Sequence, residues 1–477
     1  MRRPHFDRLA AVAFLTLLIV PVLAGCADPA SGPTGAGDPY FPEAGNGGYD
    51  VDAYEISLRV DPGSGALGGS TTIRARATQA LGSFSLDFLG LEVESVSLDE
   101  ATVEHKRKGG ELIVECPEPL GQGEAFSAQV SYSGVPGPLP DGGSLSVGWQ
   151  HSGDDIYTLD EPRGAATWFP VNDHPSDKAI YTYRITVPAP YVAAAGGVLT
   201  ATEAQGADQT FVWEMRQPCA GYLAAVTVGD YVLRESRAPN RVIIRDYFAC
   251  AVAEEAERAF ARTPEVLAHF SDLFGPYPFE AYGVVATDLA TGAAMENQTL
   301  SLFGRDVLEK MMSDATIGAV YLSHELAHQW FGNSVTIREW DDIWLNEGFA
   351  TYASWLWLEH DRGPQALAAM VEDSLDTLAG RRHEPPGDPG PDKLFGASTY
   401  QRGALTLHAL RMAVGDDAFF RILREWASRY KYANAETRDF IDLAAELGGG
   451  AGVDVAGLLD DWLYGGRLPQ MPLEAGS

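Results

Sequence analysis

Two histidines four residues apart, with a glutamate beside the first, constrain this chain more than anything else in it. They are His324-Glu325-Leu-Ala-His328. The run from Ile317 to Gln329 is apolar and rich in Ala and Leu, so a helix is expected there. On a helix, positions four apart share a face, and His324 and His328 can offer two imidazoles to one ion. Glu325 then points beside that ion rather than at it, where a general base belongs. Gly332-Asn333 reads as the helix stop. A second helix, starting after Asp341-Asp342, would return Glu347 as a third ligand. Two histidines and one carboxylate leave the fourth position of a tetrahedral zinc open for water, the catalytic arrangement. A buried helix with two incidental histidines is the blander reading, and it leaves Glu347 unexplained.

The N-terminus is read as a targeting segment rather than as fold. Met1-Arg2-Arg3 and Arg8 make a positive start, Leu9 to Gly25 is apolar, and Leu23-Ala24-Gly25-Cys26 closes the run. This is the layout of a secretory signal. Its last four residues resemble a bacterial lipobox, in which Cys26 would carry lipid and become the mature N-terminus. The run is nearly long enough to span a bilayer, so an uncleaved anchor competes; the small residues before Cys26 favour the lipoprotein. The expected location is the outer face of a cell-envelope membrane. Residues 27–48, rich in Gly, Pro, Ser and Asp, have no periodicity and read as a flexible tether.

The net charge of −32 argues against nucleic acid and against anionic membrane surfaces, so the lipid is the one membrane contact expected. With 477 residues, 45% hydrophobic and 21% charged, the chain is globular and long enough for two or three domains. Cys116, Cys219 and Cys250 are an odd number without metal-ligand spacing. Small buried side chains are expected, not a disulfide framework. Oligomeric state is not legible.

Residues 49–238 read as β. Tyr54, Ile56, Leu58 and Val60 alternate with polar residues, as do Phe84 to Phe88, Phe126 to Tyr132 and Tyr181 to Val187. Turn signals such as Asp61-Pro-Gly separate them, which implies a mainly antiparallel sandwich or saddle. Near Arg237 to Arg241 the pattern changes. Residues 239–470 are mostly helical, with apolar-periodic runs at Val252 to Leu273, Ala366 to Leu378 and Gly403 to Val414.

His324-Glu-Leu-Ala-His-Gln-Trp-Phe-Gly-Asn333 and Trp344-Leu-Asn-Glu-Gly-Phe-Ala-Thr351 together closely resemble the zinc aminopeptidases of the aminopeptidase N type. That group includes a bifunctional leukotriene epoxide hydrolase. The resemblance implies an N-terminal β saddle, a thermolysin-like (zincin) mostly α-helical catalytic domain, a cleft between them and one zinc per chain. Thr291-Gly-Ala-Ala-Met-Glu-Asn297 resembles the exopeptidase signature Gly-x-Met-Glu-Asn, with Ala293 in the place of the Gly. Ala294, Met295, Glu296 and Asn297 would then bind substrate, and Glu296 would face its ammonium. Thr158-Leu-Asp-Glu161, ahead of Trp168-Phe-Pro-Val-Asn-Asp-His-Pro175, resembles a Thr-Gln-x-Glu stretch whose Glu helps hold the free amine. Glu161 matches that Glu; Leu159 replaces the Gln. Tyr400-Gln-Arg-Gly-Ala404 resembles Tyr-x-Lys-Gly-Ala, whose tyrosine lies near the zinc, where a phenol can donate to an oxyanion. Past Asp461-Trp-Leu-Tyr-Gly465, larger members continue into further domains. The activity implied is removal of the first residue from peptides with a free N-terminus. Hydrolysis of a non-peptide epoxide, or a non-catalytic binding protein on the same fold, are the alternatives.

Overall fold

The computed structural model describes residues 30–140, 145–380, 384–449 and 452–472. The signal-like stretch and Cys26 lie outside them. No helix among the described residues is long and apolar enough to cross a membrane.

Alternation builds the first half as expected. In the strand Tyr49–Asp61, Ile56, Leu58 and Val60 are buried and the residues between them are not. This is the period of two that a half-covered sheet requires. The strand sits inside an eight-stranded sheet, between Lys178–Pro188 on one side and Ala66–Ala77 on the other. Every pairing in that sheet is antiparallel except Tyr49–Asp61 with Lys178–Pro188. A three-stranded sheet covers one end of it. There Phe84 and Phe88 meet Tyr49, Phe126 and Tyr132 of the large sheet in edge-on and tilted contacts, an arrangement that aromatic quadrupoles favour. A five-stranded sheet carries Asp155–Leu159 toward Glu161.

The second half is helical around one buried helix, Trp344–Arg362, whose residues from Trp344 to Leu358 are buried almost without a break. A helix apolar on all sides belongs at the centre of a domain. Gly348 on it and Gly403, at the start of the helix Gly403–Val414, touch backbone to backbone. A Cβ on either would lie 2.9 Å from the other's backbone. Only glycine permits that approach, and it brings the neighbouring Glu347 and Tyr400 to one place. Asp314 caps the helix Ala315–Ala327, accepting from the Thr316 and Ile317 amides.

The two halves are stitched across their seam. The Lys178 ammonium donates to the carbonyls of Asn333 and Ser334 and to the Thr336 hydroxyl at 2.8–3.1 Å. No carboxylate pairs with it among the described residues, and burial pulls it down to about 7.

Four expectations are corrected. The segment read as a free tether is docked from Ala30 onward. Its Gly32 amide bonds the Ser83 carbonyl, and Asp38, Ala44 and Asn46 are buried. Glycine and proline removed periodicity there, but tertiary hydrogen bonds supply the order. The strand Tyr231–Arg237, placed in the N-terminal domain by a boundary at 238, pairs with Ile243–Ala249 in the sheet of the second half. The histidine helix stops at Ala327, with His328 as its C-cap, short of the stop expected at Gly332-Asn333. Beyond it, tight turns from Gln329 to Leu326 and Trp330 to Ala327 wind toward Gly332 at φ +127°. Cys116 and Cys219 are buried free thiols, whereas Cys250 is exposed.

Behind the seam, the N-terminal half buries several acids with few partners. Asp173 accepts from the Ala166 amide at 3.2 Å, and its other oxygen is unpartnered. Desolvation pushes it up to about 7, despite that bond and the nearby Arg163. The folded state therefore holds this proton more tightly than the unfolded chain does. Its stabilising effect is full below about 4 and is lost as pH rises to about 7. Asp173→Asn is expected to raise Tm by an increment that grows between about pH 4.5 and about pH 8. Thermal unfolding at both pH values checks this, and an equal increment would refute it.

Candidate metal centre and active site

The helix Ala315–Ala327 presents His324, and His328 follows as its C-cap, still in helical conformation. Glu347, in the first turn of Trp344–Arg362, meets both. Its Oε2 lies 3.1 Å from His324 Nε2 and 3.5 Å from His328 Nε2, and the two Nε2 atoms are 3.1 Å apart. Three donors on bonds of about 2.0 Å at tetrahedral angles would be about 3.3 Å apart. The residues present therefore fit a zinc ion. His328 Nδ1 is 3.1 Å from the Phe331 carbonyl. A proton held there leaves Nε2 as the free lone pair facing the other two donors.

The site favours positive charge. Burial would lower His328, but Glu296 and Glu347 beside it outweigh that and push it up to about 10. Burial would raise Glu347; the His328 charge and hydrogen bonds from both imidazoles hold it at about 2. Desolvation raises Glu325, Glu296 and Glu161, and neighbouring carboxylates add to the rise in all three, while His328 opposes it at Glu325 and Glu296.

These side chains line one cavity of about 510 Å³. His324, His328, Glu347 and Glu325 form its floor with Tyr400, Glu296, Met295, Ala294 and Glu161 around it. Tyr400 comes from an irregular turn, Ser398–Arg402, and its ring stacks on His324 with centroids 5.9 Å apart. Arg402 anchors that turn by donating to the Trp462 and Gly465 carbonyls. The Glu296 segment is held by its own backbone: its carbonyl accepts from Gln329 Nε2 at 3.0 Å and from Asn333 Nδ2 at 2.7 Å. Gln329 and Asn333 follow the histidine helix, so the metal helix also places the carboxylate beside it. Glu296 Oε1 and Glu161 Oε1 are buried without a hydrogen-bond partner.

One expected contact is not made. Asn297 lies outside this cavity, buried behind it among Tyr157, Thr158 and Leu300. Its carbonyl faces Gln329, so it shapes the turn rather than touching the space. Conversely, Phe41, Leu145, Pro162 and the loop Pro391 to Gly396 line the cavity and were not foreseen. Pro162 could have been found beside Glu161; Phe41 carries no such signal.

Residues 258–462 match the peptidase family M1 domain, and residues 51–223 match the peptidase M1 N-terminal domain. An M1 zinc metallopeptidase from Deinococcus radiodurans is 33% identical and superposes with a TM-score of 0.85 over 93% of this chain and 100% of its own. A mutant M1 zinc metallopeptidase from the same organism, bound to a Tyr-Ser-Ala substrate, is 33% identical with a TM-score of 0.84 over 92% and 99%. Aminopeptidase M1-A of Oryza sativa subsp. japonica is 29% identical over 86% of this chain and 49% of its own length. This chain spans about half the length of the curated relatives it matches. Two matching domains, a similar two-domain structure and the converging motif residues lead to one conclusion: the chain belongs to peptidase family M1.

Proposed function

We propose that this chain is a zinc aminopeptidase that removes the first residue from peptides with a free N-terminus. The observation that carries this is the pair of buried carboxylate oxygens of Glu161 and Glu296 that lack a hydrogen-bond partner on the cavity of the metal triad, with His328 Nδ1 no nearer than 4.0 Å to the second. Leaving such oxygens unmet is costly unless a cation completes them. A peptide's α-ammonium has the charge and the donors to do so. Its carbonyl is two bonds farther on, which brings the first peptide bond to Glu325 and Tyr400.

A zinc ion held by His324, His328 and Glu347 would supply Lewis-acid polarisation and lower the pKa of water. Glu325 takes the proton of the attacking water and returns it to the leaving amine. Tyr400 donates a hydrogen bond to the oxygen that becomes negative as the carbonyl turns tetrahedral, a bond worth more in the transition state than in the substrate. Glu296 and Glu161 hold the ammonium and so set where the cut falls. A non-catalytic binding protein would have no use for a base and a phenol on the same cavity as three metal ligands.

Glu325→Gln is expected to keep stoichiometric zinc by elemental analysis while activity falls by roughly a hundredfold or more. Full activity in zinc-free protein would overturn the mechanism. Glu296→Ala should weaken kcat/KM for alanyl amide by roughly several-fold to a hundredfold, as for loss of a charged hydrogen bond. Acetyl-alanyl amide should be cut poorly by both proteins. Equal cleavage of blocked and free amides by the unmutated enzyme would mean an endopeptidase.

We also infer that the chain is exported and held at the cell envelope by lipid on Cys26. Support comes from the positive start, the apolar run and the small residues before Cys26. Cys26→Ser should abolish incorporation of labelled palmitate and release full-length protein into the soluble fraction. If the variant stays with membranes after a carbonate wash, an uncleaved helix is the better account.

A further inference from the structure

The docked segment between Gly32 and Asn46 does more than approach the fold: it builds one wall of the substrate cavity. Asp38 organises it. One Asp38 oxygen accepts from the Tyr40 and Phe41 amides, each at 2.8 Å. The other accepts from the Trp340 amide at 2.8 Å and faces His174 Nε2 at 3.2 Å. Burial would raise this acid, but the bonds from His174 and the three amides outweigh it and hold it below its usual range. Asp38 is 2% exposed. The bend it fixes turns Phe41 toward the cavity that holds His324, Glu325 and Glu296. The Phe41 ring meets Trp340 edge-on at 6.1 Å, and the Arg163 guanidinium sits 5.1 Å from its centre. On the other side, the Tyr40 hydroxyl donates to Asp388 and accepts from the Gly390 amide at 2.9 Å. The loop from Pro391 to Gly396 that follows is itself a wall of the cavity.

We propose that Phe41 is a specificity-determining residue for this site, favouring substrates whose first side chain is large and apolar. The proposal rests on the aminopeptidase reading above. The first residue's α-carbon bears both the ammonium and the side chain, so the side chain starts one bond from the carbon that Glu161 and Glu296 locate. The walls beside those acids are apolar: Leu159 and Pro162 flank Glu161, Met295 precedes Glu296, and Phe41 lines the same cavity. Phe41 is half-buried, so part of its ring already faces water. Removing its ring therefore opens this wall to water and does not enlarge a closed pocket. A long apolar side chain loses its partner; an alanyl methyl group does not reach it.

The test compares alanyl, leucyl and phenylalanyl p-nitroanilides in the unmutated protein, Phe41→Ala and Phe41→Leu. Phe41→Ala should lower the phenylalanyl-to-alanyl ratio of kcat/KM by roughly tenfold, the scale of a few apolar contacts, the phenylalanyl value falling much further than the alanyl one. Phe41→Leu should keep most of the ratio, since the wall stays apolar. Binding is read separately by thermal shift with phenylalaninamide and glycinamide, which need no turnover. Phenylalaninamide should give the larger shift, and Phe41→Ala should erase that difference. An unchanged ratio in Phe41→Ala, or equal shifts by both amides in the unmutated protein, overturns the role of Phe41. If the shifts differ as expected while no p-nitroanilide is cut, the role of Phe41 stands and the aminopeptidase reading falls.

Discussion

A carboxylate taken out of water must be met by a cation or by several N–H groups, or it gives up its charge. That constraint organises this protein. Glu347 is met by two imidazoles and stays ionised. Glu325, Glu296 and Glu161 are not met in the same way, and burial raises all three. The cavity thus favours cations, which would restore the charge of those acids, and the two imidazoles with Glu347 fit a metal ion. The overall charge of −32 adds to that bias.

Holding those acids close together against their repulsion is the task of the scaffold. Glycine at 348 and at 403 lets two helices touch at backbone distance, which no packing of larger side chains would reproduce. Gln329 and Asn333 grip the Glu296 carbonyl, so the carboxylate segment moves with the metal helix and not independently of it. Lys178 then fixes the turn that contains Asn333 to the β half. These links make the site a product of both halves, with Glu161 delivered by the first and the remaining acids by the second.

Much of this was legible from residues alone, and the reason is local. His324, His328 and Glu325 sit within one helical turn or so, and that geometry follows from spacing. The strands around Tyr54 and Tyr181 follow from alternation. Glu161, Glu296 and Tyr400, which share the cavity, stand out in the sequence only because short stretches around them resemble a known family; no periodicity points to them. What escaped was set by contacts distant in sequence. Asp38 and Trp340 are about 300 residues apart, and nothing near Asp38 announces the partner. Composition called that segment loose because glycine and proline suppress regular structure, but irregular backbone is ordered equally well when its amides find acceptors. Asn297 was misplaced for the opposite reason. A motif groups neighbours that the backbone then sends to opposite sides of a turn.

Order in the segment from Gly32 to Asn46 also changes what an anchor would do. Five residues lie between Cys26 and Gly32, and the six extended Cα-to-Cα steps that join them reach at most about 22 Å. With a lipid on Cys26, the β half would hang close beneath the headgroups on a short leash instead of roaming on a long one. Any tug on the lipid would travel along the segment to Asp38 and its bond with Trp340. The cavity wall at Phe41 would then lie on the line of force between the lipid and the fold.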